Sequence, residues 1–127
     1  MSQLFDSGAF IALERNDRAM WERLAVAHRS GTSPLTHAGV LGQVWRGGRR
    51  QARLSQALRA VEVFSLDEKL ARGAGFLLAA TGQGDVVDAA LVAMALDGDE
   101  IVTADAKHLA PLARAHGRDI LLISMHA

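Results

Sequence analysis

The feature that most constrains this chain is an acid set inside an apolar run. From Val86 to Leu96 every residue is apolar except Asp88. An ionised carboxylate among aliphatic side chains is costly unless a metal, an arginine or a set of backbone N–H groups faces it. At helical spacing Asp85 and Asp88 share an inward face with Val92 and Ala95, so both carboxylates point the same way. Asp85 also reads as the N-cap of this helix. Asp105, after the β-like run Glu100 to Thr103, reads as the N-cap of the next helix, Ala106 to His116. Capping explains each of those two acids taken singly. It does not explain Asp88, with Val86, Val87, Ala89 and Ala90 around it. We read a metal as its partner, and the rest of the chain as built to bring three or four such groups together.

The remaining sequence alternates short strands with helices. Leu4 and Phe5 form a first strand ending at Asp6, and SGAFIALE begins a helix. A second helix runs roughly from Arg18 to Arg29, capped by Asn16 or Asp17, before the turn cluster Ser30 to Pro34. Leu35 closes a brief second strand, Thr36 is a plausible N-cap, and His37 to Trp45 is helical. RGGRRQAR breaks at its glycine pair and restarts as a helix to about Ala60. Val61, Val63 and Phe64 make a third strand, and Asp67 caps a long helix. Ile101 to Thr103 is a fourth strand. Ile120 to Ile123 is a continuous apolar run, as expected of a strand covered on both faces. The pattern predicts a single α/β domain, 1–127, with a mainly parallel sheet in a three-layer α/β/α arrangement. Ligand sites in such sheets lie beyond the carboxyl ends of the strands, where Asp6 and Asp105 both fall.

The chain has 127 residues, 50% of them hydrophobic, which is enough for one core. It has no cysteine, which excludes disulfides, zinc-thiolate sites and a thiol nucleophile. No apolar run reaches membrane-span length, and MSQLFDSG has no basic leader, so we expect no membrane segment, no signal peptide and a cytoplasmic location. Net charge is zero, but the charges are sorted. Residues 1–22 hold four acids and two bases, residues 23–61 seven arginines and no acid, and residues 62–127 ten acids and five bases. Sorting of this kind suits one face for a polyanion and another for cations, or simple self-complementation of the two halves. Arg46, Arg49, Arg50 and Arg53 are the candidate track for nucleic-acid phosphates. An ordinary solvated helix face, or a contact with an acidic protein segment, is the competing reading. Trp45 is a candidate base-stacking residue, although it and Trp21 read better as core.

Four segments together resemble the PIN-domain nucleases, and in particular VapC-type toxins of bacterial toxin–antitoxin pairs. LFDSGAFIALE is similar to the family's opening strand with its first acid, here Asp6, followed by Ser7. DAALVAMAL resembles the central helix with Asp88. TADAKHL resembles the final acidic motif, with Asp105 and Thr103. THAGVLGQVWRG resembles the segment that carries a glutamate, here replaced by Gln43. The resemblance implies metal-dependent RNA cleavage by a cytoplasmic homodimer with a cognate antitoxin. It implies Mg²⁺ or Mn²⁺, hard cations suited to clustered carboxylates. Asp6, Asp88 and Asp105 would be the metal ligands, Asp85 an additional ligand or a cap, and Ser7 and Thr103 the groups that orient those carboxylates. Gln43 would stand in the catalytic set without a charge. No acid lies between Glu22 and Glu62 to replace the missing one. The alternative is a PIN-fold module that binds RNA or protein with weakened or absent catalysis. A phospho-acceptor receiver domain is a poorer fit, because it would want an acidic pair after the first strand and a lysine after the last.

Overall fold

The structure, a computed structural model, describes residues 1–125. Five strands alternate with helices: β1 (Gln3–Phe5), β2 (Leu35–His37), β3 (Glu62–Phe64), β4 (Glu100–Thr103) and β5 (Leu121–Ser124). The helices are α1 (Ser7–Glu14), α2 (Arg18–Arg29), α3 (Ala38–Val44), α4 (Ala52–Leu58), α5 (Glu68–Thr81), α6 (Val86–Met94) and α7 (Ala106–His116). A short 3₁₀ turn, Arg49–Gln51, precedes α4. All strand pairs are parallel, in the order β3-β2-β1-β4-β5.

That order fixes the layers. Connections from β1 to β2 and on to β3 step one way along the sheet. Those from β3 to β4 and on to β5 step the other way. Right-handed crossovers therefore put α1–α4 on one face and α5–α7 on the other. The direction reverses between β1 and β4, and this switch point opens a crevice at their carboxyl ends. The register pairs Phe5 with Val102, so Asp6 comes level with Thr103.

Leu4, Phe5, Ile101 and Val102 of the central strands are fully buried. Phe5 and Phe10 meet edge to face with ring centroids 5.8 Å apart. Ala89, Ala90, Leu91 and Val92 are also fully buried, because α6 packs against α5, α7 and β2. This explains the apolar run: it is a central helix whose first turn, carrying Asp88, emerges at the crevice.

Three expectations are corrected. Thr36 does not cap α3. It is a buried β2 residue whose hydroxyl donates to the Phe5 carbonyl at 2.9 Å, and His37 caps the helix instead. The strand Leu121–Ser124 is covered only in part: it is a sheet edge, Leu122 and Ile123 pack half-buried against the core from opposite faces, and Leu121 is 57% exposed. Trp45 is exposed, whereas Trp21 is half-buried and its indole donates to the Leu13 carbonyl at 3.0 Å.

Candidate functional site

Asp6 leaves β1 directly after Phe5 and is almost fully buried. Its Oδ1 accepts the Ala9 N–H at 3.0 Å and so caps α1. The Thr103 side chain also hydrogen-bonds this carboxyl. The Thr103 Oγ1 in turn accepts the Asp105 N–H at 2.9 Å, which leaves the hydroxyl proton for Asp6. Thr103 thus ties the acid after β1 to the acid after β4. Gly8 permits this closeness, since a Cβ there would lie 2.6 Å from the Ala104 Cβ and 3.3 Å from Asp6 Oδ1. Burial raises the Asp6 pKa above its ordinary value, against the opposing hydrogen bonds from Thr103, Ala9, Ala104 and Gly8.

Asp88 faces Asp6 from the first turn of α6. Burial, followed by the charges of Asp85 and Asp6, pushes its carboxyl up to about 6. His108 opposes that rise, with its Nε2 3.8 Å from Asp88 Oδ2. Asp85 caps α6, its Oδ1 accepting the Val87 and Asp88 N–H groups at 3.0 and 3.1 Å. The crevice therefore holds three carboxylates whose repulsion is only partly offset.

Asp105 stands slightly apart. It is exposed, caps α7 through the His108 N–H at 3.3 Å, and is not among the charges that move Asp88. Among the described residues no three carboxylate or imidazole groups form a ready-made ion cage. The chemistry of the donor set nevertheless fits a hard cation. The donors are oxygens, they carry excess negative charge, and a divalent ion would offset both the burial and the repulsion that raise Asp88 to about 6.

The other candidates divide. Ser7 begins α1, and its hydroxyl makes no hydrogen bond to an acid among the described residues. Gln43 is exposed on the second turn of α3, with no hydrogen bond to the acids. Gly39, one turn earlier, packs against the ring of His37, which a Cβ there would meet. Arg46, Arg49, Arg50 and Arg53 are exposed, and no acid pairs with them among the described residues. They are not beside the acids. The eight-residue α1, Ser7–Glu14, is about 12 Å long at 1.5 Å per residue; Asp6 caps its start and the arginine loop packs at its far end.

Sequence reasoning passed over three residues that shape these features. His108 has no local signal, because its place opposite Asp88 depends on how α7 packs. His37 gives none either, although it is fully buried. Gln51, also buried, accepts the N–H groups of Arg46 and Gly47 at 2.7 and 2.8 Å and donates to Glu14 and the Val44 carbonyl. It anchors the arginine loop to α1. Gly47 and Gly48 turn this loop with positive φ values of 81° and 88°.

No curated protein matches the chain by sequence. Among solved structures, a chain in the crystal structure of VapBC2 from Rickettsia felis bound to a DNA fragment from their promoter superposes with a TM-score of 0.74. It is 14% identical, and the match covers 99% of this chain and 100% of that one. At this identity the likeness is one of fold. The family model for the PIN domain matches residues 4–115. From the switch-point acids to the strand order, the chain is a member of the PIN domain family.

Proposed function

We propose that this chain is a metal-dependent endoribonuclease, the toxin of a toxin–antitoxin pair. The observation that carries the reading is the under-compensated carboxylate group at the switch point, with Asp88 raised to about 6 by burial and by Asp85 and Asp6. Family membership supports a nuclease, and the VapBC2 likeness supports an antitoxin partner. RNA as the substrate and Mg²⁺ or Mn²⁺ as the cofactor are our own extension.

On this reading Asp6, Asp88 and Asp105 hold the ion directly or through water. Asp85 acts chiefly as the α6 cap and reinforces their charge. When bound, the ion supplies an activated water and charge neutralisation at the scissile phosphate. Thr103 holds the Asp6 carboxylate in place through its hydroxyl. His108, beside Asp88, is positioned to donate to a phosphate oxygen. Gln43, lacking charge, would contribute at most a hydrogen bond at the rim. The exposed arginines would bind RNA phosphates away from the reacting bond.

The test is cleavage of single-stranded RNA with Mg²⁺ or Mn²⁺, with Asp88→Asn as the control. Metal-dependent cleavage abolished in Asp88→Asn is the expected result. RNA binding without cleavage in either metal would replace this reading with that of a catalytically silent binding module. One observation favours that alternative: the absence of a ready-made three-group ion cage among the described residues. A short upstream reading frame encoding an antitoxin is the expected genomic companion of the toxin.

A further inference from the structure

His37 is a buried histidine at the end of β2, and both its ring nitrogens are engaged. Nδ1 accepts the Gly39 N–H at 3.0 Å, and Nε2 lies 2.9 Å from the carbonyl oxygen of Val87. A carbonyl only accepts, so Nε2 carries the proton and donates. Burial lowers the pKa of the ring, in keeping with this neutral tautomer. The ring therefore links β2, on one side of β1, to the first turn of α6, fifty residues on in sequence. The residue after Val87 is Asp88.

Gly39 makes this link possible. A Cβ there would lie 2.8 Å from His37 Cε1 and 3.0 Å from Nδ1. Leu66 Cδ2, 3.2 Å from the same point, closes the other side. The ring has nowhere to retreat, so any side chain at position 39 displaces it. Gly39 has no positive φ, so backbone conformation alone does not require a glycine here.

We propose that His37 is a positioning residue for Asp88: its ring, admitted by Gly39, holds the first turn of α6 against the end of β2 and so sets Asp88 opposite Asp6. This rests on the carboxylate-site reading of the proposed function. A simple helix cap would need only the Nδ1 contact. The reach of Nε2 to Val87 is what separates positioning from capping.

Two substitutions divide these roles. His37→Asn keeps an acceptor where Nδ1 sits but falls short of Val87. His37→Gln reaches Val87 but gives up the cap. The readouts are calorimetric Mn²⁺ affinity and, without metal, hydrogen exchange of the Ala89 to Leu91 amides. His37→Asn should weaken Mn²⁺ binding about tenfold or more and speed that exchange, whereas His37→Gln stays within about threefold of the parent. Gly39→Ala should reproduce His37→Asn, and the double variant should be no worse than either single one, because both break the same contact. If His37→Asn does not fold, Gly39→Ala carries the test alone. Parent-like affinity and exchange in Gly39→Ala, or additive losses in the double variant, would overturn the proposal. If the parent protein itself binds no Mn²⁺, the metal reading fails, and the exchange measurement still decides the clamp.

Discussion

Asp88→Asn should make the metal-free protein more stable at neutral pH while disabling it. The Asp88 carboxyl is raised from 3.8 to about 6, first by burial and then by Asp85 and Asp6. Ionising it in the folded state is thus disfavoured by up to about 3 kcal/mol relative to the unfolded chain. Its side chain is 23% exposed, so water screens part of that repulsion and about 2 kcal/mol is the expected gain on removing the charge. For a domain of this size that is roughly 6–10 °C in Tm.

The direction with pH follows from linkage. A group whose folded pKa lies above its unfolded one stabilises the fold when protonated. That contribution is complete below about pH 4 and is lost as pH rises through about 6. The Asp88→Asn advantage should therefore be full at pH 7.5 and vanish near pH 4. Saturating Mn²⁺ should reverse the order at pH 7.5. At a hundredfold excess over Kd, binding stabilises the parent protein by about 2.7 kcal/mol, and the variant gains little. Thermal melts at the two pH values, with and without Mn²⁺, measure all of this. An Asp88→Asn protein no more stable than its parent at pH 7.5, or equally advantaged at pH 4, would refute the account of Asp88 as an under-compensated charge.

Thr103→Val should cost about 1–3 kcal/mol in urea melts, because it removes a buried hydroxyl that serves the buried Asp6 carboxyl and accepts the Asp105 N–H. An unchanged midpoint would remove Thr103 from its bridging role. Replacing Arg49 and Arg50 with alanine should weaken RNA binding about equally across sequences and flatten its dependence on salt; an unchanged slope would assign them to another contact. Gln43→Glu should tighten Mn²⁺ binding only a few-fold, because Gln43 is exposed and a charge there would attract the ion through water. A hundredfold gain would instead make Gln43 a direct neighbour of the ion.

Much of the architecture was legible because helix ends carry local chemistry. Asp17, Asp67 and Asp85 cap α2, α5 and α6 where their types and spacing predict. Gly82 and Gly117 close α5 and α7 with φ values of 74° and 76°. What is non-local was not legible. The level of Thr103 with Asp6 comes from β1–β4 register, which no pattern within either segment encodes. His37 misled because imidazole is an uncommon cap, so the reading passed to Thr36. Position 39 gave no sign of its importance, since a glycine needed for space looks like one needed for a turn. Gln51 was hidden for the same reason: its partners lie on α1 and in the loop before it.

Cap and ligand were opposed as readings of the acids, and the geometry removes the opposition. Asp6, Asp85 and Asp105 each use Oδ1 to accept helix N–H groups. A cap fixes a carboxylate's direction and leaves its second oxygen with accepting capacity. Three helices begin around one crevice, so three such carboxylates are oriented by the fold before any ligand arrives. Their helix starts also stabilise the negative charge that would otherwise break the site apart. Asp88 caps nothing. It sits within the first turn of its helix, where burial and then the charges of Asp85 and Asp6 push its carboxyl up to about 6 against the opposing His108. The acid that local structure needs least is therefore the one whose ionisation most requires a cation, which is the physical reason for building the functional reading on Asp88.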